Sequence, residues 1–170
     1  METKNVQQHI QSVIDNMDII VRERPYHAFP LLAIIIELLG KCLNENQDWQ
    51  HFEHGGGDFK KALECDSLKK YINLDFSLYD VLRCGMAHAF MPKERIKLTP
   101  DNNDLANNII GCKELYEDII TAWNSIVNGT IKPAKDLSVI ITNIDGPTTS
   151  ITPYIASQPI RQNLKGNTKK

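Results

Sequence analysis

The apolar positions in the first forty-five residues predict two helices. Between residues 5 and 21, apolar side chains recur every three or four positions, which predicts an amphipathic helix with one buried face. Charged residues 22–24 and Pro25 end this pattern. We expect a second helix to begin near Phe29, with Pro30 in its first turn. Its sequence, "LLAIIIELLGKCLN", is apolar nearly all round, which predicts the central helix of the fold.

The middle of the chain reads as a loop, a short helix and a third long helix. Residues 45–58 are polar and end in three glycines, which is typical of a loop. A short helix is expected across residues 59–72. Asp75 or Ser77 can cap the next helix, which carries "SLYDVLRCGMAHAFM" and stops before Pro92. The segment "ERIKL" after it looks extended.

The last part of the chain changes from helical to strand-like character. After the turn cluster "TPDNND", a long helix is expected from Leu105 through Ile109 to Gly129, with one apolar side. Beyond Pro133, "LSVIITNIDGPTTSITPYIA" is rich in Val, Ile and Thr and contains an Asp-Gly-Pro turn signal, so we expect a β-hairpin. An isolated hairpin is marginal in water, so it must pack on the helices, pair with "ERIKL" or pair with another subunit.

These elements predict an all-α fold, a four- to five-helix up-and-down bundle with a small C-terminal β-hairpin appendage. Residues 1–130 would form the helical bundle, residues 131–157 the β appendage packed on the bundle or on a partner, and residues 158–170 a flexible tail. The 170 residues are 42% hydrophobic and 24% charged, which suits one globular domain with a real core.

Charge and cysteine content narrow the classes of protein to which the chain can belong. The net charge of −2 gives no global basic field for nucleic acid, although the tail after Asp145 carries only basic charges. No apolar run follows Met1, and no stretch suits a bilayer span, so we expect a cytoplasmic protein without a membrane partner. The cysteines form no C-x-x-C motif, so buried free thiols are expected at Cys42, Cys65, Cys84 and Cys112.

Residues 82–90, "LRCGMAHAF", place an arginine and a histidine in an otherwise apolar run. On an ideal α-helix, Arg83 and His88 are about 140° apart, so one subunit neither requires nor forbids a shared site. Asp80 lies three positions before Arg83 and can form a local ion pair with it, which would leave His88 as a hydrogen-bonded core residue. A two-fold axis at this helix would instead gather two arginines and two histidines.

The string "YDVLRCGMAHAF", late in a mostly helical chain, resembles the R-x4–6-H motif of the HEPN superfamily, and the resemblance covers roughly residues 5–128. It implies a homodimer whose two motifs meet at the interface. Many members are metal-independent endoribonucleases of toxin–antitoxin, defence or RNA-processing systems, and others are inactive nucleotide-binding or scaffold proteins. Cys84 stands where members that cleave RNA usually carry a polar residue, often Asn, directly after the arginine.

The resemblance assigns catalytic roles to Arg83 and His88 and needs neither a metal nor a cofactor. His88 would transfer a proton to or from the RNA, and Arg83 would hold the phosphate, leaving a 2′,3′-cyclic phosphate. Asp80 or Glu37 would orient one of the two, and Cys84 lies four residues before His88, within reach of a thiol–imidazole pair. An RNA or nucleotide ligand and an antitoxin partner are expected.

The residues leave a second function open, a non-catalytic nucleotide-binding, RNA-binding or protein-interaction module. In that case Arg83 merely grips a phosphate-bearing ligand or closes an ion pair. The overall acidic charge and Cys84 favour this alternative, whereas the motif and the basic tail favour the nuclease.

A separate candidate lies in "HFEHGGG", where His51, Glu53 and His54 are capable of binding a metal. Their spacing is not that of a helical H-x-x-x-H zinc pair, so we interpret this stretch as a solvated loop.

Overall fold

The computed structural model describes residues 4–45, 49, 55–74, 77–86 and 96–140, and this part of the chain is mainly α-helical. Four α-helices are described, followed here in chain order: α1 (Val6–Glu23), α2 (Pro25–Leu43), α3 (Gly55–Ala62) and α4 (Cys112–Val127). The remaining described elements are two 3₁₀-helices (Lys69–Tyr71 and Leu105–Asn107), one π-helix (Tyr79–Met86) and two short strands, β1 (Lys97–Thr99) and β2 (Ile109–Gly111).

Helix α1 has the amphipathic face that its sequence predicts. Asn5 and Gln8 form a reciprocal capping box, in which each side chain accepts a hydrogen bond from the other residue's backbone N–H, at 2.8 and 3.0 Å. The helix ends at Glu23, two positions before Pro25, with Arg24 as its C-cap. Its buried residues recur every three or four positions and are Val6, Ile10, Ile14, Met17 and Val21.

Helix α2 is central, since it contacts α1, α3, α4, the π-helix and β1. The expected start near Phe29 is wrong, because the helix already begins at Pro25. Proline suits that position, since it has no N–H to leave unsatisfied and its backbone angle is already helical. Pro30 therefore lies inside the helix, buried in the core. By length and composition α2 could cross a membrane, and 56% of the relevant window is buried inside the protein.

Helices α2 and α3 approach each other closely at Gly40. A Cβ atom at this position would lie 1.6 Å from the backbone carbonyl oxygen of Asp58. Asp58 is buried there and accepts a hydrogen bond from the side chain of Asn44 at 3.0 Å. The absence of a side chain at position 40 therefore sets how near α3 lies to the central helix.

The two strands form a small parallel sheet, in which Lys97, Leu98 and Thr99 pair with Ile109, Ile110 and Gly111. The extended "ERIKL" segment is thus confirmed for residues 97–98, but the long helix expected from Leu105 is wrong, because α4 begins only at Cys112. Asn108 has a left-handed backbone (φ 57°), which ends the preceding 3₁₀-helix. A Cβ at Gly111, the N-cap of α4, would lie 2.3 Å from Asp101 O, so glycine is needed for this close approach of the two chain segments.

The described end of the chain packs on the N-terminus of α1. Leu137 and Val139 accept hydrogen bonds at 3.0 Å from the backbone N–H groups of Gln7 and Val6, and Ile140 forms an antiparallel bridge with Asn5. These bonds satisfy N–H groups that the first turn of a helix leaves free. Of the predicted β appendage, residues 131–140 are described and form no named strand, whereas residues 141–157 and the predicted tail of residues 158–170 lie outside the described residues.

All four cysteines are free thiols, and Cys42, Cys65 and Cys112 are buried, as the sequence predicts. Burial raises the pKa of Cys42 and of Cys112 to about 12, so both are protonated and unreactive at neutral pH. Cys84 differs, because it is only half-buried.

Candidate functional site

Arg83 lies in the π-helix, whose hydrogen bonds join residues five positions apart. Such helices are rare and occur often at functional sites. The sequence predicts a helix here, and the structure gives it π rather than α geometry.

Glu37 of α2 is the carboxylate partner of Arg83. The Arg83 Nε atom lies 3.2 Å from both carboxylate oxygens of Glu37 and donates to them. The Arg83 side chain is 34% exposed and that of Glu37 is 16% exposed, so the arginine is the more accessible of the two. Within the described residues, the two terminal amino groups of Arg83 have no hydrogen-bond partner. Four of the five N–H donors of the guanidinium are thus without a partner among the residues that the structure describes.

The first turn of α3 lies beside this ion pair. A Cβ atom at Gly55 would lie 2.6 Å from Oε1 of Glu37 and 3.5 Å from the hydroxyl oxygen of Tyr79. Only glycine lets the backbone come this close without displacing the carboxylate. Glu37, Gly55, Tyr79 and Arg83, from three elements, therefore form one cluster, which we call the Arg83 cluster.

Tyr79 stands one turn before Arg83 and is held by an aromatic contact. Its ring packs edge-on against Phe59, with centroids 5.4 Å apart and ring planes 69° apart. Burial, and after it the negative charge of Glu37, raises the pKa of the Tyr79 hydroxyl above its ordinary value, against a lowering by Arg83. The hydroxyl is therefore neutral at physiological pH and can donate a hydrogen bond to an anion.

The other predicted site residues have different surroundings. Asp80 is exposed, and its backbone N–H donates to the hydroxyl of Ser77 at 3.3 Å. The local Asp80–Arg83 ion pair is not formed, because the carboxylate that Arg83 meets among the described residues is that of Glu37. Cys84 is a half-buried free thiol. His88 lies outside the described residues, so its relation to Arg83 stays a prediction.

The loop residues His51, Glu53 and His54 also lie outside the described part of the chain. Within that part, no group of three His, Cys, Asp or Glu side chains is arranged to hold a metal ion.

Sequence reasoning missed Tyr79 and Gly55 as members of the cluster. The signal for Gly55 was present in the three consecutive glycines, because a glycine run permits close backbone approach as well as a loop. Tyr79 precedes Arg83 by four positions, a spacing that places side chains near each other on a helix. Neither pattern reveals that Glu37 is the group they meet.

The chain has no significant match among protein-family models, curated proteins or solved structures. The resemblance to the HEPN superfamily therefore depends on the motif residues of the sequence.

Proposed function

We propose that this protein is a HEPN-like, metal-independent endoribonuclease that works as a homodimer in the cytoplasm. The proposed fold of each subunit is an up-and-down bundle of four to five helices. The observation that carries the proposal is the state of Arg83, whose guanidinium, among the described residues, contacts a carboxylate through Nε and through neither amino group. These amino groups suit a phosphate, which planar guanidinium groups bind through paired N–H donors. The side chain is 34% exposed, which leaves it accessible to RNA.

The proposed reaction is an internal phosphoryl transfer on RNA. The 2′-oxygen attacks the adjacent phosphorus, the 2′-O–P bond forms, and the P–O5′ bond breaks. The 2′-OH loses its proton to a base and the leaving 5′-oxygen gains one from an acid, so no metal, oxidant or external nucleophile enters. His88 takes one of these proton-transfer roles, and His88 of the second subunit takes the other.

Arg83 stabilises the charge that builds on the non-bridging phosphate oxygens. Glu37 acts as a positioning residue, because its carboxylate holds Nε and so fixes the plane of the guanidinium. The neutral hydroxyl of Tyr79 adds a donor at the edge of the same cluster.

A homodimer is supported by an exposed apolar stripe on α2 that leads to the Arg83 cluster. Leu31 is 38% exposed and Ile34 is 44% exposed, although both belong to the most apolar helix of the chain. Ile34 precedes Glu37 by three positions and therefore lies about one turn from it. A second copy packed on this stripe would bring the two Arg83 clusters toward one another across a two-fold axis.

A second function, a non-catalytic phosphate-binding module, is favoured by two observations. The guanidinium already has a carboxylate partner, which partly neutralises it. Cys84 occupies the position where RNA-cleaving HEPN proteins usually have a polar residue. In this alternative the same cluster binds a nucleotide or RNA phosphate, or supports an antitoxin-type partner protein, without breaking a bond.

Cleavage of RNA in a chelating buffer separates the two functions. The purified protein is incubated with single-stranded and structured RNA in excess EDTA, and the product ends are identified by mass spectrometry. The nuclease predicts fragments ending in 2′,3′-cyclic phosphate, which disappear when the scissile nucleotide carries 2′-deoxyribose. His88→Ala and Arg83→Ala are expected to abolish cleavage.

Two substitutions on α1 serve as matched controls. Arg22→Ala removes an arginine that is also paired with a carboxylate, Asp18 at 2.8 Å, and His9→Ala removes a histidine remote from the motif. Both variants should cleave like the wild type. RNA that is bound in an Arg83-dependent manner but stays intact would refute the nuclease and support the binding module. RNA that is neither bound nor cleaved would refute the nuclease and an RNA-binding module, and would leave only binding of a nucleotide or of a partner protein.

A further inference from the structure

An open groove of about 560 Å³ begins at Tyr79 and runs along α3. Its walls come from α3, from the chain around Tyr71–Leu74 and from the start of the π-helix. The apolar lining residues are Phe59, Leu63, Ile72, Leu74 and Leu78. Small-molecule sites typically have volumes of roughly 300–1,000 Å³ and mostly apolar walls. The size and character of this groove are therefore those of a binding site for a small organic group.

We propose that this groove binds the base of a nucleotide whose phosphate lies on Arg83, a subsite that rests on the proposed phosphate-binding role of that arginine. Tyr79 connects the two places, because its ring lines the groove and its hydroxyl belongs to the Arg83 cluster. A nucleotide matches these two places, because it has a planar base for the apolar groove at one end and a phosphate for Arg83 at the other.

The half-buried Tyr79 favours a planar heterocycle over a flexible aliphatic chain, because its aromatic ring can stack on one. Phe59 and Tyr71 also line the groove, but they are 0% and 1% exposed, so they support its wall and do not offer a ring face for stacking. Stacking on aromatic rings tolerates any base, which suits an RNA-binding site without strict sequence preference.

The charges at the groove fit a polyanion. Glu64 is neutralised by Lys61 at 2.6 Å, whereas Lys60 is exposed and has no ion-pair partner among the described residues. Lys60 can therefore meet a flanking phosphate of a longer RNA. Ile72, on the wall of the groove, is 50% exposed, so a bound base would cover apolar surface that otherwise faces water.

Calorimetric titration with adenosine 5′-monophosphate and with ribose 5-phosphate tests the subsite. The two ligands share the phosphate, and only the first carries a base. Base stacking is worth about 1–3 kcal/mol, so adenosine 5′-monophosphate should bind roughly 5- to 150-fold more tightly than ribose 5-phosphate. Ile72→Asn should lower this ratio at least about threefold and leave binding of ribose 5-phosphate unchanged. Ile19→Asn, which alters an isoleucine of similar exposure (57%) on α1, should leave the ratio at the wild-type value.

The two ligands also test the base subsite and the phosphate-binding role of Arg83 independently. Equal affinities, no binding of the nucleotide at millimolar concentration, or a ratio that survives Ile72→Asn would each overturn the subsite. Arg83→Gln should weaken both ligands alike. If Arg83→Gln leaves the affinity for ribose 5-phosphate unchanged, the phosphate-binding role of Arg83 fails, whatever the ratio shows.

Discussion

Arg83 contacts Glu37 across 46 positions of sequence, and it does so through one nitrogen, with Nε 3.2 Å from each carboxylate oxygen. This geometry differs from the two-pronged ion pair in which both terminal amino groups of an arginine face a carboxylate. Glu37 therefore has two opposing effects on an incoming phosphate. It orients the guanidinium, and it repels the phosphate through its negative charge.

Glu37→Gln is expected to separate these effects. The amide oxygen of glutamine can still accept from Nε, so the orientation of Arg83 is kept while the repulsion is removed. Partly exposed ion pairs are worth about 0.2–1 kcal/mol, so we expect ribose 5-phosphate to bind roughly two- to fivefold more tightly. Glu37→Ala removes the acceptor as well and should lose this gain. Titration calorimetry at low and high salt measures both variants, and the difference should shrink at high salt.

Asp80→Asn is the matched control, because it neutralises an exposed carboxylate three positions from Arg83 that forms no ion pair with it. A gain in Asp80→Asn equal to that in Glu37→Gln would mean that general surface charge, rather than the Glu37 contact, governs anion affinity.

Gly40→Ala should destabilise the fold strongly. The new methyl group would lie 1.6 Å from Asp58 O, a backbone atom that cannot move without shifting α3. Overpacking of this kind costs about 3 kcal/mol of unfolding free energy. In Gly56→Ala the nearest atom, Cε1 of Tyr79, would be 3.5 Å away, so the change should be within about 1 kcal/mol. Urea denaturation of both variants checks the contrast, and equal stabilities would show that α3 is not held at Gly40.

The elements that could be predicted from the sequence are those specified by local pattern. The three- and four-residue period of α1 and the stop at Pro25 were enough to place the first helix and its buried face. The strand at Ile109–Gly111 was missed because its neighbours in sequence look helical. What decides its structure is a left-handed Asn108 and the close packing of Gly111 against Asp101, contacts that a periodic pattern does not encode.

The candidate site also has one part that the sequence predicted and one part that it could not predict. Arg83 was identified from a short motif, and Glu37 was one of two acidic residues that the sequence offered as its partner. Spacing favoured Asp80, three positions away, because helical neighbours are the pairs that a sequence can reveal. The structure selects Glu37 instead, since α2 and the π-helix pack side by side. A partner 46 positions away is a consequence of tertiary packing and could not be read from local spacing.

Ile34→Glu should weaken the proposed homodimer. Full burial of an apolar side chain of this size is worth about 1.5–3 kcal/mol, and a two-fold interface would lose it twice, so the dissociation constant should rise at least tenfold. Sedimentation velocity over a range of concentrations measures it. Ile19→Glu, the same change at an exposed isoleucine of α1, should leave the dimer intact. A monomeric wild type would contradict the proposal directly.

Acid should unfold the protein partly through Glu114, which joins α4 to the segment before it. Glu114 accepts from Lys70 at 2.6 Å and from the backbone N–H of Asn103 at 2.8 Å. Partial burial alone would raise the pKa of Glu114, but these hydrogen bonds outweigh it and lower the pKa below the ordinary 4.5. Because the folded pKa is the lower one, the stabilisation is present above pH 4.5 and is lost as the pH falls through the folded pKa.

Glu114→Gln should therefore be less stable than the wild type at pH 7 and lose less of its free energy of unfolding between pH 5 and about pH 3. Glu117→Gln, which changes an exposed glutamate on the same helix, should keep the wild-type pH profile. Denaturant unfolding followed by circular dichroism at several pH values gives all three curves. Parallel curves for the wild type and Glu114→Gln would show that Glu114 does not couple folding to pH, and the acid sensitivity would then have to come from other carboxylates.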